Sequence, residues 1–254
     1  MDSLNSKREK ENRFWQVFWF FFIKSDKILY STFTKLLGIM EPQNVIKHRF
    51  FDLVATECLE YLKSKTSMNF KTALDVGCLY GHLVKKLSDS GIDCYGIEKD
   101  EYTKPFRITD KIEYREFDEN TKLDKKFDLI CLTQMIYYVK NPELVLKHSI
   151  DLLNPRGWLF ISTQDPDSPY LKEYPQILES KMTKLLKLSE YEKLEDVKLI
   201  DCTKFRPDIY LDRLKNPTKS NELKNFLKYR FKIPYQKDPS GHHVFFLFQK
   251  LSDI

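Results

Sequence analysis

Ala73-Leu-Asp-Val-Gly-Cys-Leu-Tyr-Gly-His-Leu83, running on to Tyr95-Gly-Ile-Glu98, is the stretch whose reading decides the fold. It reads as a buried strand, a glycine-bearing turn, a helix, a second glycine-led strand and a closing carboxylate. In a strand-turn-helix-strand unit, the carboxylate that ends the second strand lies beside the turn that ends the first. Such a crevice suits a nucleoside: backbone can approach closely at Gly77 and Gly81, and Glu98 can accept hydrogen bonds from two ribose hydroxyls.

These residues resemble the cofactor motif of the Rossmann-like (class I) S-adenosylmethionine-dependent methyltransferases, specifically the small-molecule type. That motif reads acid-x-Gly-x-Gly-x-Gly, with a second acid roughly 20 residues on. Asp75, Gly77 and Gly81 fall on it, and Leu79 takes the middle glycine position. The dinucleotide pattern Gly-x-Gly-x-x-Gly is spoiled by both Leu79 and His82. The plain alternative is a turn whose glycines only shape the backbone.

The following chain supports the resemblance. The segment 48–62 places Phe51, Val54, Cys58 and Leu62 on one helical stripe, as in the helix preceding the first strand of that family. Strands are expected at 72–76 and 93–97, with a helix between them from about His82 to Gly91. Lys111-Ile-Glu-Tyr-Arg-Glu-Phe117 alternates like a third strand. Lys126-Phe-Asp-Leu-Ile-Cys-Leu-Thr133 is continuously apolar, the mark of a parallel strand covered on both faces. Asn141-Pro142 opens a helix carrying Leu144, Val145, His148 and Leu152, and Asn154-Pro-Arg-Gly157 turns into a fifth strand at 158–162. A helix at 176–188, a sixth strand at 197–202 and a last strand at 243–249 complete the layout.

The resemblance implies an α/β, doubly wound, seven-stranded sheet of order 3-2-1-4-5-7-6 with the last strand antiparallel. Residues 1–46 form a helical N-terminal extension, and 47–254 form the methyltransferase domain with a substrate-side insertion at about 203–241. The cofactor implied is S-adenosylmethionine, held by Asp75, Gly77, Cys78, Gly81 and Glu98, with Asp118 toward the adenine amine and Gln134 after strand four. An oxygen or nitrogen acceptor also needs its proton removed. His242 and His243 at the cofactor edge are candidates, because histidine's unperturbed pKa near 6.5 suits a base. Tyr137 and Tyr138 are further candidates, while His82 and His148 read as structural. No Asn/Asp-Pro-Pro-Tyr motif follows strand four, which removes the best marker for amino methylation of nucleic-acid bases or glutamine.

Composition bounds the rest. The 42% hydrophobic share builds a substantial core, which argues against global disorder. A net charge of +5 permits an acidic partner without demanding one. The five cysteines lie in apolar segments without CxxC or His-Cys grouping, so they read as small core residues of a reducing compartment, with no metal. Phe14-Trp-Gln-Val-Phe-Trp-Phe-Phe-Phe-Ile23 would reach only about 15 Å as a helix, half of a hydrocarbon layer of about 30 Å. It reads either as a helix packed on the domain or a second copy, or as an aromatic helix in a membrane interface. The insertion mixes Arg206, Arg213 and Arg230 with Tyr210, Phe226 and Tyr229, which suits an anionic acceptor.

The function expected is methyl transfer to a small molecule, most naturally at oxygen, in the cytoplasm. RNA or protein methylation is the alternative, with nucleic acid the less favoured partner. A third reading keeps the fold and drops catalysis, leaving a scaffold.

Overall fold

A computed structural model describes residues 42–173, 182, 184–207 and 235–252. The aromatic segment at 14–23 and most of the insertion, 208–234, lie outside the described residues. The chain divides into two compact units, residues 51–211 with 233–254 and residues 1–50 with 212–232. Of the second unit only Pro42–Phe50, the first turns of helix α1, are described.

The elements follow in chain order. Helix α1 is Pro42–Lys65, β1 Thr72–Val76, α2 His82–Asp89, β2 Asp93–Glu98 and β3 Ile112–Tyr114. Strand β4, Phe127–Thr133, leads through a short 3-10 turn, Ile136–Tyr138, into α3, Pro142–Asp151. Then come β5 Leu153–Gln164, α4 Pro169–Glu173, α5 Leu188–Tyr191, β6 Val197–Pro207, β7 Tyr235–Lys237 and β8 His243–Lys250.

The sheet order is β3-β2-β1-β4-β5-β8-β6-β7. Strands β1 to β5 run parallel, and β8 enters antiparallel between β5 and β6. That is the expected seven-stranded order, with one addition. Tyr235–Lys237 pairs antiparallel with the end of β6 at the sheet edge. The expected insertion therefore begins in strand, with β6 running five residues beyond the expected Cys202, and carries a short strand near its end.

Alternation and continuity of apolar residues explain the two cores. Leu74, Val76, Ile130, Leu132, Leu159, Ile161, Phe246 and Phe248 face α3 through Val145, Leu146 and Ile150. Ala73, Cys94, Leu129, Cys131, Phe160, Phe245 and Leu247 face α1 through Cys58, Leu59 and Leu62, and α2 through Leu83, Val84 and Leu87. Strand β4 is buried on both faces because it feeds both clusters.

Three expectations are corrected. Asn154-Pro-Arg-Gly157 does not precede strand five; it lies within β5, where Arg156 takes φ +62 and the register with β4 shifts between Phe127 and Leu129. The end of the helix expected at 176–188 is not helical: residues 184–187 have no regular structure, and a single turn follows at Leu188–Tyr191. Cys202 is exposed rather than core, whereas Cys58, Cys78, Cys94 and Cys131 are buried; all five are free thiols. Among the described residues no helix is long and apolar enough to cross a membrane.

Candidate active site

The turn after β1 takes three left-handed residues: Gly77 at φ +70, Leu79 at φ +51 and Gly81 at φ +84. Two of these have no room for a side chain. A Cβ at Gly77 would lie 2.6 Å from Met135 Cβ, and one at Gly81 would lie 2.7 Å from Thr109 Cγ2. Leu79 holds the middle glycine position in the backbone conformation that position demands, at a cost of about 1–2 kcal/mol for a residue with a Cβ.

Glu98 sits directly beneath this turn. Its Oε2 accepts the Leu79 N–H at 2.7 Å and its Oε1 accepts the Asp100 N–H at 2.9 Å. The carboxylate is buried yet keeps further lone pairs, since each carboxylate oxygen accepts more than one hydrogen bond. Asp75, on β1, is 2% exposed and its Oδ1 has no hydrogen-bond partner. Burial, and then the nearby Glu98 charge, hold the Asp75 carboxyl well above the usual carboxylate range. Cys78 packs beneath Gly96, where a Cβ would meet its Sγ. Burial, then Asp75 and Glu98, push its thiol up.

Strand β4 is followed by a further left-handed residue, Gln134, at φ +54. Its N–H donates to Ser162 O at 2.8 Å, and its Nε2 donates to Ser162 Oγ at 2.6 Å. Its Oε1 accepts from the Tyr137 hydroxyl at 2.5 Å. Tyr137 is a core residue, 3% exposed. The tyrosine considered as a base therefore has its hydroxyl engaged within the protein, and the Gln134 amide is engaged at both ends. Asp118 follows β3 in a half-buried loop position, where its Oδ1 accepts the Asn120 N–H at 2.9 Å and a hydrogen bond from Thr121 Oγ1 at 3.0 Å. The Asn120 backbone bond, followed by Thr121, lowers its carboxyl. His148 is structural, as expected: Nε2 lies 2.8 Å from Thr121 O and its ring packs on Phe117.

The histidine pair falls at the expected edge. His243 begins β8 opposite Gln164 of β5 and Phe205 of β6. Both histidines are buried. Burial lowers His242 to about 4, and burial with the His242 neighbour lowers His243 to about 3. The expectation of a base titrating near neutrality is therefore corrected: these imidazoles are neutral at pH 7 and weakly basic.

Sequence reasoning missed a latch beside them. Asp165 Oδ2 accepts from Lys204 Nζ at 2.8 Å, Asp165 Oδ1 accepts the Asp167 N–H at 3.0 Å, and Ser168 Oγ donates to Ser240 O at 3.1 Å. The Asp165-Pro-Asp-Ser run is a turn signal that could have suggested the cap, though not the distant lysine.

Fold and crevice together define the class I methyltransferases, whose cofactor is S-adenosylmethionine. The chain belongs to the methyltransferase-domain family, whose model matches residues 46–203, more than half of its length. It is 26% identical over 113 residues to a ubiquinone biosynthesis O-methyltransferase of Coxiella burnetii, covering 41% of this chain and 48% of that protein. A homologous enzyme of Bordetella avium is 30% identical over 108 residues, covering 38% and 44%. The chain thus spans about half the length of these relatives. Among solved structures, a SAM-dependent methyltransferase from Archaeoglobus fulgidus superposes at TM-score 0.55 with 15% identity, covering 79% of this chain and 94% of that one. The plantazolicin methyltransferase BpumL, solved with SAH, gives TM-score 0.53 at 15% identity over 90% and 98%.

Proposed function

We propose that the chain binds S-adenosylmethionine in the crevice between the β1 turn and Glu98 and transfers its methyl group to an oxygen of a small-molecule acceptor. The observation that carries this reading is Glu98: a buried carboxylate, fixed by the Leu79 and Asp100 N–H groups, with lone pairs left for ribose hydroxyls. The residues present fit the cofactor. Asp75 offers a buried oxygen that nothing in the protein satisfies, and the turn at Gly77, Cys78 and Gly81 presents backbone rather than side chain. Asp118 offers its remaining oxygen to the adenine amine, and Gln134 shapes the wall after β4.

When bound, the cofactor supplies a methyl group already activated by its sulfonium. The chain's own residues then need to hold the acceptor in line and exclude water, and positioning alone is worth about 7–11 kcal/mol. His243 and His242 contribute to this reading as neutral walls at the sheet edge. Transfer to oxygen is supported by the O-methyltransferases among the relatives. Residues 203–241, which leave and rejoin the sheet at its carboxyl edge, are the proposed seat of acceptor selection.

The test is calorimetry with S-adenosylmethionine and its demethylated product. Glu98→Ala should weaken both by about 1.5–3 kcal/mol through loss of charge-assisted bonds. Incubation of the protein with labelled cofactor and a metabolite extract should add one CH2 to a small molecule. Label appearing only in RNA or protein would overturn the acceptor class.

A further inference from the structure

Three buried side-chain oxygens at the carboxyl edge of the sheet have no hydrogen-bond partner: Asp75 Oδ1, Thr133 Oγ1 and Gln164 Oε1. The strand register puts them on one face. Asp75 is paired with Cys131 on β4, and Thr133 lies two residues further along that strand. Thr133 is paired with Ser162 on β5, and Gln164 lies two residues beyond Ser162. The row continues through His243, opposite Gln164, to Phe205 on β6. It therefore runs from the cofactor turn toward the strand that carries the insertion.

An unsatisfied buried acceptor costs the full desolvation of that group, and native proteins carry few of them. Three along one edge call for a ligand. Ser162, in the middle of the row, shows what satisfaction looks like, because its hydroxyl receives Gln134 Nε2.

The chemistry of the row selects the ligand. An amide oxygen only accepts a hydrogen bond, whereas a threonine hydroxyl both donates and accepts. His243 is neutral, and Lys204 pairs with Val244, one residue over, so it lies on the opposite face, bound to Asp165. A carboxylate or phosphate can accept from Thr133 but has no hydrogen to give the orphaned Gln164 Oε1; a hydroxyl does both.

We propose that Thr133 and Gln164 form an acceptor subsite for a neutral hydroxyl, which donates to Gln164 Oε1 and accepts from Thr133 Oγ1. The proposal rests on the methyl-transfer reading and deepens it: the acceptor is a hydroxylated molecule, recognised at the sheet edge through that hydroxyl. Thr133 and Gln164 are specificity residues in this scheme, and neither moves a proton.

The test uses the full chain loaded with S-adenosylhomocysteine, and catechol and 1,2-dimethoxybenzene as probes of matched shape with and without hydroxyl donors. Calorimetry should show catechol binding, with the dimethoxy compound weaker by about tenfold or more. Gln164→Leu and Thr133→Val should each weaken catechol by about tenfold while leaving S-adenosylhomocysteine affinity within about twofold. The two variants should also melt at or above the wild-type temperature without ligand, because each removes a buried oxygen that nothing satisfies. A merely structural role would lower the melting temperature instead. Unchanged catechol affinity in both variants, equal binding of the two probes, or no catechol binding by the wild type would overturn the subsite. Loss of S-adenosylhomocysteine binding in the variants would assign these oxygens to the cofactor and also overturn it. A wild-type protein that binds no S-adenosylhomocysteine would sink the methyl-transfer reading itself, and the subsite with it.

Discussion

At the scale of single residues, the turn after β1 is decided by where a Cβ fits. Gly77 is fixed twice over, by φ +70 and by Met135 Cβ at 2.6 Å from any Cβ placed there. Gly77→Ala should therefore destabilise the fold even without ligand, by about 1–3 kcal/mol, from strain and overpacking together. Truncating Met135 to Ala should not rescue it, since the opposing atom is the Met135 Cβ itself. Leu79 is the opposite case. Its contribution to the site is a backbone N–H to Glu98. Leu79→Gly relieves the left-handed strain but frees the unfolded chain, so stability should change by less than about 1 kcal/mol and cofactor affinity should hold. Calorimetry and thermal melts on the two variants check both outcomes. A collapse of affinity in Leu79→Gly would show that the leucine side chain itself touches the cofactor.

Between elements, a single acid joins helix α1 to strand β6 across the chain. Asp201 Oδ2 accepts from Tyr61 Oη at 2.7 Å and from Thr203 Oγ1 at 2.6 Å, while Lys65 Nζ lies 2.5 Å from Oδ1. Burial pushes this carboxyl up, but the bonds from Lys65, Thr203 and Tyr61 outweigh it and leave it below the ordinary range. Tyr61 is itself wedged against Phe160, Phe205 and Phe245. Asp201→Ala strands the buried tyrosine hydroxyl and should cost about 1–3 kcal/mol by denaturant titration, and Asp201→Asn, which keeps an acceptor, should cost less. No sequence pattern announces a bond between residues 140 apart. The units built from neighbouring residues were readable: glycines punctuate β1, α2 and β2, and the unbroken apolar run marks β4 as buried on both faces. The start of β5 was not, because Pro155 usually argues against a strand interior. Tyr137 read as a candidate base because its burial depends on Gln134 turning left-handed just after β4, which glutamine rarely signals. His242 and His243 read as edge residues, and the register places them there, but their burial follows from β6 and β5 closing on both sides of β8.

That burial has consequences for the protein as a whole. A histidine buried neutral in the native state must be charged in acid, so the unfolded chain binds more protons wherever its histidines titrate first. With folded values of about 4 for His242 and about 3 for His243 against an ordinary 6.5, the stabilisation is complete above about pH 6.5. It falls as pH drops through the window down to about 3–4. Urea titrations across pH 4–7 should show stability declining toward acid, and His242→Gln with His243→Gln should flatten that slope whatever it does to absolute stability. An unchanged slope would mean that neither imidazole is held neutral.

Cofactor binding acts on the same equilibrium. A ligand that binds only the native state adds about 2.7 kcal/mol of stability at a concentration 100 times its Kd. S-adenosylhomocysteine should therefore raise the unfolding midpoint of the wild type in a concentration-dependent way, while Glu98→Ala should need proportionally more ligand for the same shift. The shift separates two meanings of this fold. A scaffold that has lost the crevice shows no shift with either cofactor form. A protein that shows the shift but labels no acceptor in any extract keeps the crevice and has lost transfer. An enzyme shows both, and the proposed oxygen acceptor is then checked on its product: release of the label as methyl iodide from an ether cleaved with hydriodic acid, or as methanol from a hydrolysed ester, supports that bond, and retention on nitrogen or carbon overturns the proposed oxygen acceptor.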